Sequence, residues 1–111
     1  RQRLQPSADP VLAQMQQMMS GNLQDPLALS DIARPLGLSL KALRLRCKRG
    51  LGMTPQEAYL QIRLQRAREL LQSTGMPVTE VALAAGFGSL PGFSRQFKAM
   101  YKRSPSEERR R

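Results

Sequence analysis

Two short stretches of this sequence concentrate cations with no acid between them. Lys41, Arg44, Arg46, Lys48 and Arg49 fall between Ser39 and Gly50, and Arg95, Lys98, Lys102 and Arg103 fall between Ser89 and Ser104. Ammonium and guanidinium groups donate hydrogen bonds and accept none, so a polyanion is the partner they suit. If each stretch is a helix, it fits the major groove of B-DNA, where Arg and Lys donate to guanine O6 and N7. The same side chains can hold phosphates, which adds affinity but carries no sequence information. The plainer alternative is that both helices only display charge to water. Two such stretches in matching positions weigh against it.

The composition agrees and closes off other chemistries. Of 111 residues, 18 are Lys or Arg and 8 are Asp or Glu, a formal charge of +10. There is no histidine, which removes the commonest general base and the zinc-finger pattern together. Cys47 is the sole cysteine, so no internal disulfide can form, and a reducing, cytoplasmic setting is expected. Its place on an apolar stripe reads as a small buried hydrophobe. With no clustered acids either, an enzyme is not expected, nor is a cofactor or a metal. Three Phe, two Tyr and no Trp supply a stacking platform for single strands poorly. No apolar run approaches a membrane span, so no membrane partner is expected. The chain begins at Arg1 rather than Met, and we expect a C-terminal piece whose effector domain lies elsewhere.

The elements that would position these cations can be read from caps and periodicity. Thr54 to Thr74 reads as one long helix: Thr54 as N-cap, Pro55 in the first turn, Glu57 completing a capping box, then Leu60, Leu64, Ala67 and Leu71 on one stripe. Gly75 and Pro77 end it. About 18 residues at about 1.5 Å each give a rod of about 27 Å. Upstream, Asp9 and Pro10 cap a helix carrying Leu12, Met15 and Met19, closed by Gly21. Ser30 and Asp31 start a short helix with Ile32 and Ala33, Gly37 breaks it, and Ser39 caps a helix with Leu43 and Cys47 inward, ended by Gly50 or Gly52. Helix, glycine turn, helix is the helix-turn-helix pattern, weak alone. Repetition strengthens it. Ile32 and Ala33 match Val81 and Ala82, Gly37 matches Gly86, Ser39 matches Ser89, Leu43 and Cys47 match Phe93 and Phe97, and Pro55 matches Pro105. The expectation is an all-α chain of two helix-turn-helix subdomains bridged by a long linker helix. Residues 1–8 would be linker, 9–53 the first subdomain, 54–74 the bridging helix, and 75–111 the second subdomain with a basic tail.

These residues resemble the DNA-binding domain of the AraC/XylS family of bacterial transcription regulators. The most specific part is AAGFGSLPGFSRQFKAMYKRSP, supported by Gly52-x-Thr54-Pro55, Arg63-Leu64, Ala67 and Leu70-Leu71. The Leu-Ser-x-Ile-Ala stretch is similar to members whose effector domain has a DJ-1 or glutamine-amidotransferase-like fold. The resemblance implies a sequence-specific activator on double-stranded DNA, with RNA polymerase as a further partner and both recognition helices in successive major-groove segments. Matched by position, it implies that Lys41, Arg44 and Leu45 face bases in the first helix and Leu90, Pro91 and Arg95 in the second, with Lys48 and Lys98 near the backbone. Arg46 and Arg49 join the candidate DNA contacts, although the order of Leu45 and Arg46 departs from the family and leaves the face of Arg46 open. The family's usual Gly is Lys102 here, which implies a strained cap or a looser one. The competing function is a basic helical module that binds nucleic acid without sequence preference, or docks on an acidic protein.

If the long helix sets the rotation between two reading heads, inserting two alanines after Gln65 turns the second head by about 200°. Affinity should then fall to what one head supplies. Circular dichroism and a melt on the same variant establish whether both heads still fold. A folded variant with wild-type affinity would contradict the role given to this helix.

Overall fold

The computed structural model describes residues 6–110, which contain helices and turns and no strand. Residues 1–5 and Arg111 lie outside the described residues, so the linker expected over 1–8 is described only from Pro6 onward. The helices are α1 (Pro10–Ser20), α2 (Leu29–Ala33) with a 3-10 turn at Arg34–Leu36, α3 (Leu40–Leu51), α4 (Pro55–Ser73), α5 (Val78–Ala84), α6 (Leu90–Tyr101) and α7 (Pro105–Arg109). The all-α expectation holds. Two compact units divide the described chain, with the boundary inside α4 between Ile62 and Arg63.

In the first unit, Asp9 caps α1 by accepting from the Val11 N–H at 2.9 Å. Leu12, Met15 and Met19 are buried with Ile32, Ala33, Leu43, Cys47, Ala58 and Tyr59. The Tyr59 hydroxyl donates to the Asn22 carbonyl and accepts from the Leu27 N–H at 3.0 Å, which pins the connection from α1 to α2. α2 starts earlier than Ser30. Its N-cap is Ala28, without a side-chain bond, and Ser30 lies inside the first turn. Gly37 adopts φ 73°, the left-handed conformation that lets the chain leave α2 and re-enter a helix at once. Ser39 Oγ then accepts from the Ala42 N–H at 3.1 Å and starts α3. Of the two glycines that could end α3, Gly52 does so, at φ 72°. Gly50 stays helical, and a Cβ there would stand 2.4 Å from Leu12 Cδ1, so it lets α1 approach α3.

The second unit repeats the device. The Phe87 N–H donates to Ala82 O at 2.9 Å, as Leu38 N–H does to Ala33 O at 3.1 Å. Ser89 Oγ accepts from Gly92 N–H at 3.2 Å to start α6. Phe93 and Phe97 are fully buried, and their rings form a chain with Phe87 and Tyr101 at centroid distances of 5.2, 5.7 and 4.8 Å. Four of the five aromatics therefore pack on one another instead of forming a surface platform. The capping boxes also pair up. Thr54 with Glu57 starts α4 at 3.1 and 2.9 Å, and Ser104 with Glu107 starts α7 at 3.1 and 2.7 Å.

α6 closes as α3 does, with the cap N–H bonded four residues back, but the residue there is Lys102 at φ 64°. Among the described residues it is the one non-glycine with positive φ. The left-handed conformation costs an L-residue with a Cβ about 1–2 kcal/mol. Lys102→Gly should therefore raise the thermal midpoint, by the equivalent of about 1 kcal/mol once glycine's greater chain entropy is subtracted. An unchanged or lower midpoint would contradict strain at this cap.

Candidate nucleic-acid interface

Each of the two basic helices, α3 and α6, is fixed in rotation by what it buries. In α3, Leu43 and Cys47 are fully buried while Lys41, Arg44, Leu45, Lys48 and Arg49 are exposed. In α6, Phe93 and Phe97 are fully buried while Leu90, Pro91, Arg95 and Lys98 are exposed. Lys41, Arg44, Leu45, Lys48 and Arg49 thus share the outer face of α3, and Pro91, Arg95 and Lys98 that of α6. Leu90, three residues before Phe93 and seven before Phe97, instead starts the inner stripe and is open only at the helix's first position. Among the described residues Arg95 makes no ion pair.

Arg46 is different. Its guanidinium grips Asp9 with two bonds, Nε to Oδ2 at 2.8 Å and Nη2 to Oδ1 at 3.1 Å. The hydrogen bond from Arg46 is the largest influence holding the Asp9 carboxyl below its usual range. The open question of its face is answered: Arg46 lies on the flank of α3, against the N-cap of α1. Arg103 is also drawn aside, with Nε 3.8 Å from Glu108 Oε1.

Sequence reasoning missed the residues that hold the helices from behind. Arg63 sends Nε to Ala85 O at 2.9 Å and Nη2 to Gly86 O at 2.7 Å, and its guanidinium lies 4.3 Å from the Phe87 ring centroid. It therefore fixes the turn from which α6 departs. Arg68 lies 4.7 Å from the Tyr101 ring centroid, with Nε 3.3 Å from Glu108 Oε2 but poorly aligned for a hydrogen bond. Glu108 is 1% exposed and accepts from the Gln72 amide at 2.8 Å. Burial works against its charge, but the Gln72 bond and the Arg68 and Arg103 guanidiniums prevail and hold the carboxyl below its usual value. A hidden acid among exposed ones leaves no periodic signal. The one available hint was that Glu108 stands where the first unit, fifty residues earlier, has buried Ala58.

Burial pushes the Cys47 thiol up to about 11, which keeps it protonated at neutral pH. Among the described residues no group of three or more Cys, Asp or Glu is placed to hold a metal ion, and no helix is long and apolar enough to cross a membrane.

Comparison with known proteins gives concordant relatives. A family described as a helix-turn-helix domain matches residues 32–111. The transcriptional regulator ArgR of Pseudomonas aeruginosa is 33% identical over 103 residues, covering 93% of this chain and 31% of that protein. The transcriptional activator RhaS of an Enterobacter strain is 33% identical over 101 residues, covering 91% of this chain and 36% of its own. A solved AraC-type DNA-binding regulator from Chromobacterium violaceum superposes with a TM-score of 0.90 at 38% identity, covering 93% of this chain and 92% of that one. The chain spans about a third of the length of these curated relatives.

The Glu108 cluster gives an acid-stability expectation. A carboxyl with a lowered folded pKa contributes stability above its unfolded value, 4.5, and that stability is lost as pH falls through the lower folded value. Glu108→Gln should be less stable than wild type at pH 7 and should lose less of its melting temperature on acidification below pH 4.5. Equal losses in the two proteins would contradict a paired, ionised Glu108.

Proposed function

Because the chain belongs to the AraC/XylS family of helix-turn-helix DNA-binding domains, we propose that it is the operator-reading part of a transcriptional activator, with α3 and α6 each entering a major groove. Sequence-specific binding of double-stranded DNA is the activity of the domain. The proposal adds how the work is divided. Lys41, Arg44, Leu45, Leu90, Pro91 and Arg95 meet base edges, while Lys48, Arg49 and Lys98 hold phosphates. The observation that carries it is the matched pair of helices, each serine-capped, buried along its rear and basic on its exposed face. Arg46 contributes positive potential from the flank while remaining paired with Asp9. A cytoplasmic setting and a contact with RNA polymerase follow from the activator reading, as does dependence on an effector-responsive domain in the full-length protein.

Selection from random duplex DNA, followed by competition with bulk DNA, tests the reading. A specific complex should outlast non-specific ones by about 10³-fold or more. With 6–10 phosphate contacts, affinity should fall about 10³- to 10⁵-fold between 50 and 200 mM salt. Equal affinity for selected and bulk DNA would instead mark a basic module without sequence preference.

Single substitutions separate readout from anchoring. Arg95→Ala should cost about 1–3 kcal/mol and relax selection at one base pair. Lys98→Ala should weaken all duplexes about equally. An unchanged motif selected by Arg95→Ala would remove Arg95 from the reading face.

A further inference from the structure

The two reading helices carry different chemistry at the same structural position. Ser39 and Ser89 cap α3 and α6 in the same way, and Gly52 and Lys102 close them in the same left-handed conformation. Leu43 and Cys47 in α3 therefore share a phase with Phe93 and Phe97 in α6. At about 100° per residue, the residue midway between two buried positions four apart points about 160° away from each. That residue is Leu45 in α3 and Arg95 in α6. Each is the outermost side chain of its helix, the one that goes deepest into a groove entered by that face.

Arg95 at this point is a donor suited to guanine. Leu45 has no polar atom to offer. It is 52% exposed, and Lys41, Arg44, Lys48 and Arg49 are exposed around it. An apolar side chain alone at the centre of a cationic face cannot bind phosphate or donate to a base. The one apolar feature on the floor of the major groove is the C5-methyl of thymine. We infer that Leu45 reads thymine: the half-site under α3 carries an A·T pair whose methyl group packs on Leu45, at the place where the half-site under α6 presents guanine to Arg95. This rests on the proposed function, and it makes the two halves of the operator chemically unlike.

Deoxyuridine lacks only the methyl group, so it isolates the contact. The probe is the duplex enriched from the random library, with each thymine replaced in turn by deoxyuridine. At one position the wild-type protein should lose affinity about fourfold, the equivalent of one buried carbon at about 0.8 kcal/mol. Leu45→Ala should bind the thymine and uracil duplexes alike at that position while responding to uracil at every other position as the wild type does. Leu45→Arg should shift selection there from thymine toward guanine. Leu45 is on the outside of α3, so both variants should melt like wild type. The inference is overturned if no uracil position weakens the wild type, or if Leu45→Ala keeps the wild-type penalty. If the wild-type protein enriches no duplex at all, the proposed function falls first and this assignment with it.

Discussion

The structure depends on one constraint, that α3 and α6 are each locked in rotation by a pair of buried residues four apart. Leu43 with Cys47 and Phe93 with Phe97 are fully shielded from water. Burying such side chains is worth about 1.5–3 kcal/mol each for the larger ones. Rolling either helix by a quarter turn would expose that surface and bury cations, which is far more costly without partners. The hydrophobic stripe thus decides where charge stands. The cations need no attraction within the protein to stay outside, and this leaves them available to a polyanion.

The two units reach the same result with different supports. The first relies on Tyr59, whose hydroxyl ties down the segment after α1, and on Gly50, which admits Leu12. Each bond of the tyrosine is worth about 1 kcal/mol. The second relies on arginines that do not face solvent as reading residues. Arg63 closes the turn before α6, and Arg68 joins Tyr101 and Glu108. Removing Glu108 would leave guanidiniums partly buried without their acid, so the cluster weighs more when broken than when formed. A high cation count therefore overstates the interface. Arg46, Arg63, Arg68 and Arg103 all serve the fold.

Most of the helices were legible because caps and stripes are local. Thr54 with Glu57, Ser39 and its match Ser89 all cap where the sequence places caps, and the repeat joined them into two like units. Errors came where two readings were locally equivalent. Gly50 and Gly52 are equally plausible ends for a helix, and only the approach of Leu12 separates a packing glycine from a capping one. Ser30 has the chemistry of a cap, yet the backbone starts α2 at Leu29 behind an alanine. For the candidate site, Lys41, Arg44, Leu45, Arg95 and Lys98 came from the family resemblance, and all five are exposed. The pairing of Arg46 with Asp9, 37 positions away, was not legible, because long-range ion pairs leave no periodic trace in one sequence.

The central claim is that one chain reads DNA with both of its outward helix faces. Protection of guanine N7 from methylation reports occupancy of the major groove directly. On a selected duplex, one molecule of this domain should give two separate protected clusters, one for each helix. A single cluster under saturating protein, with both units folded, would contradict the account.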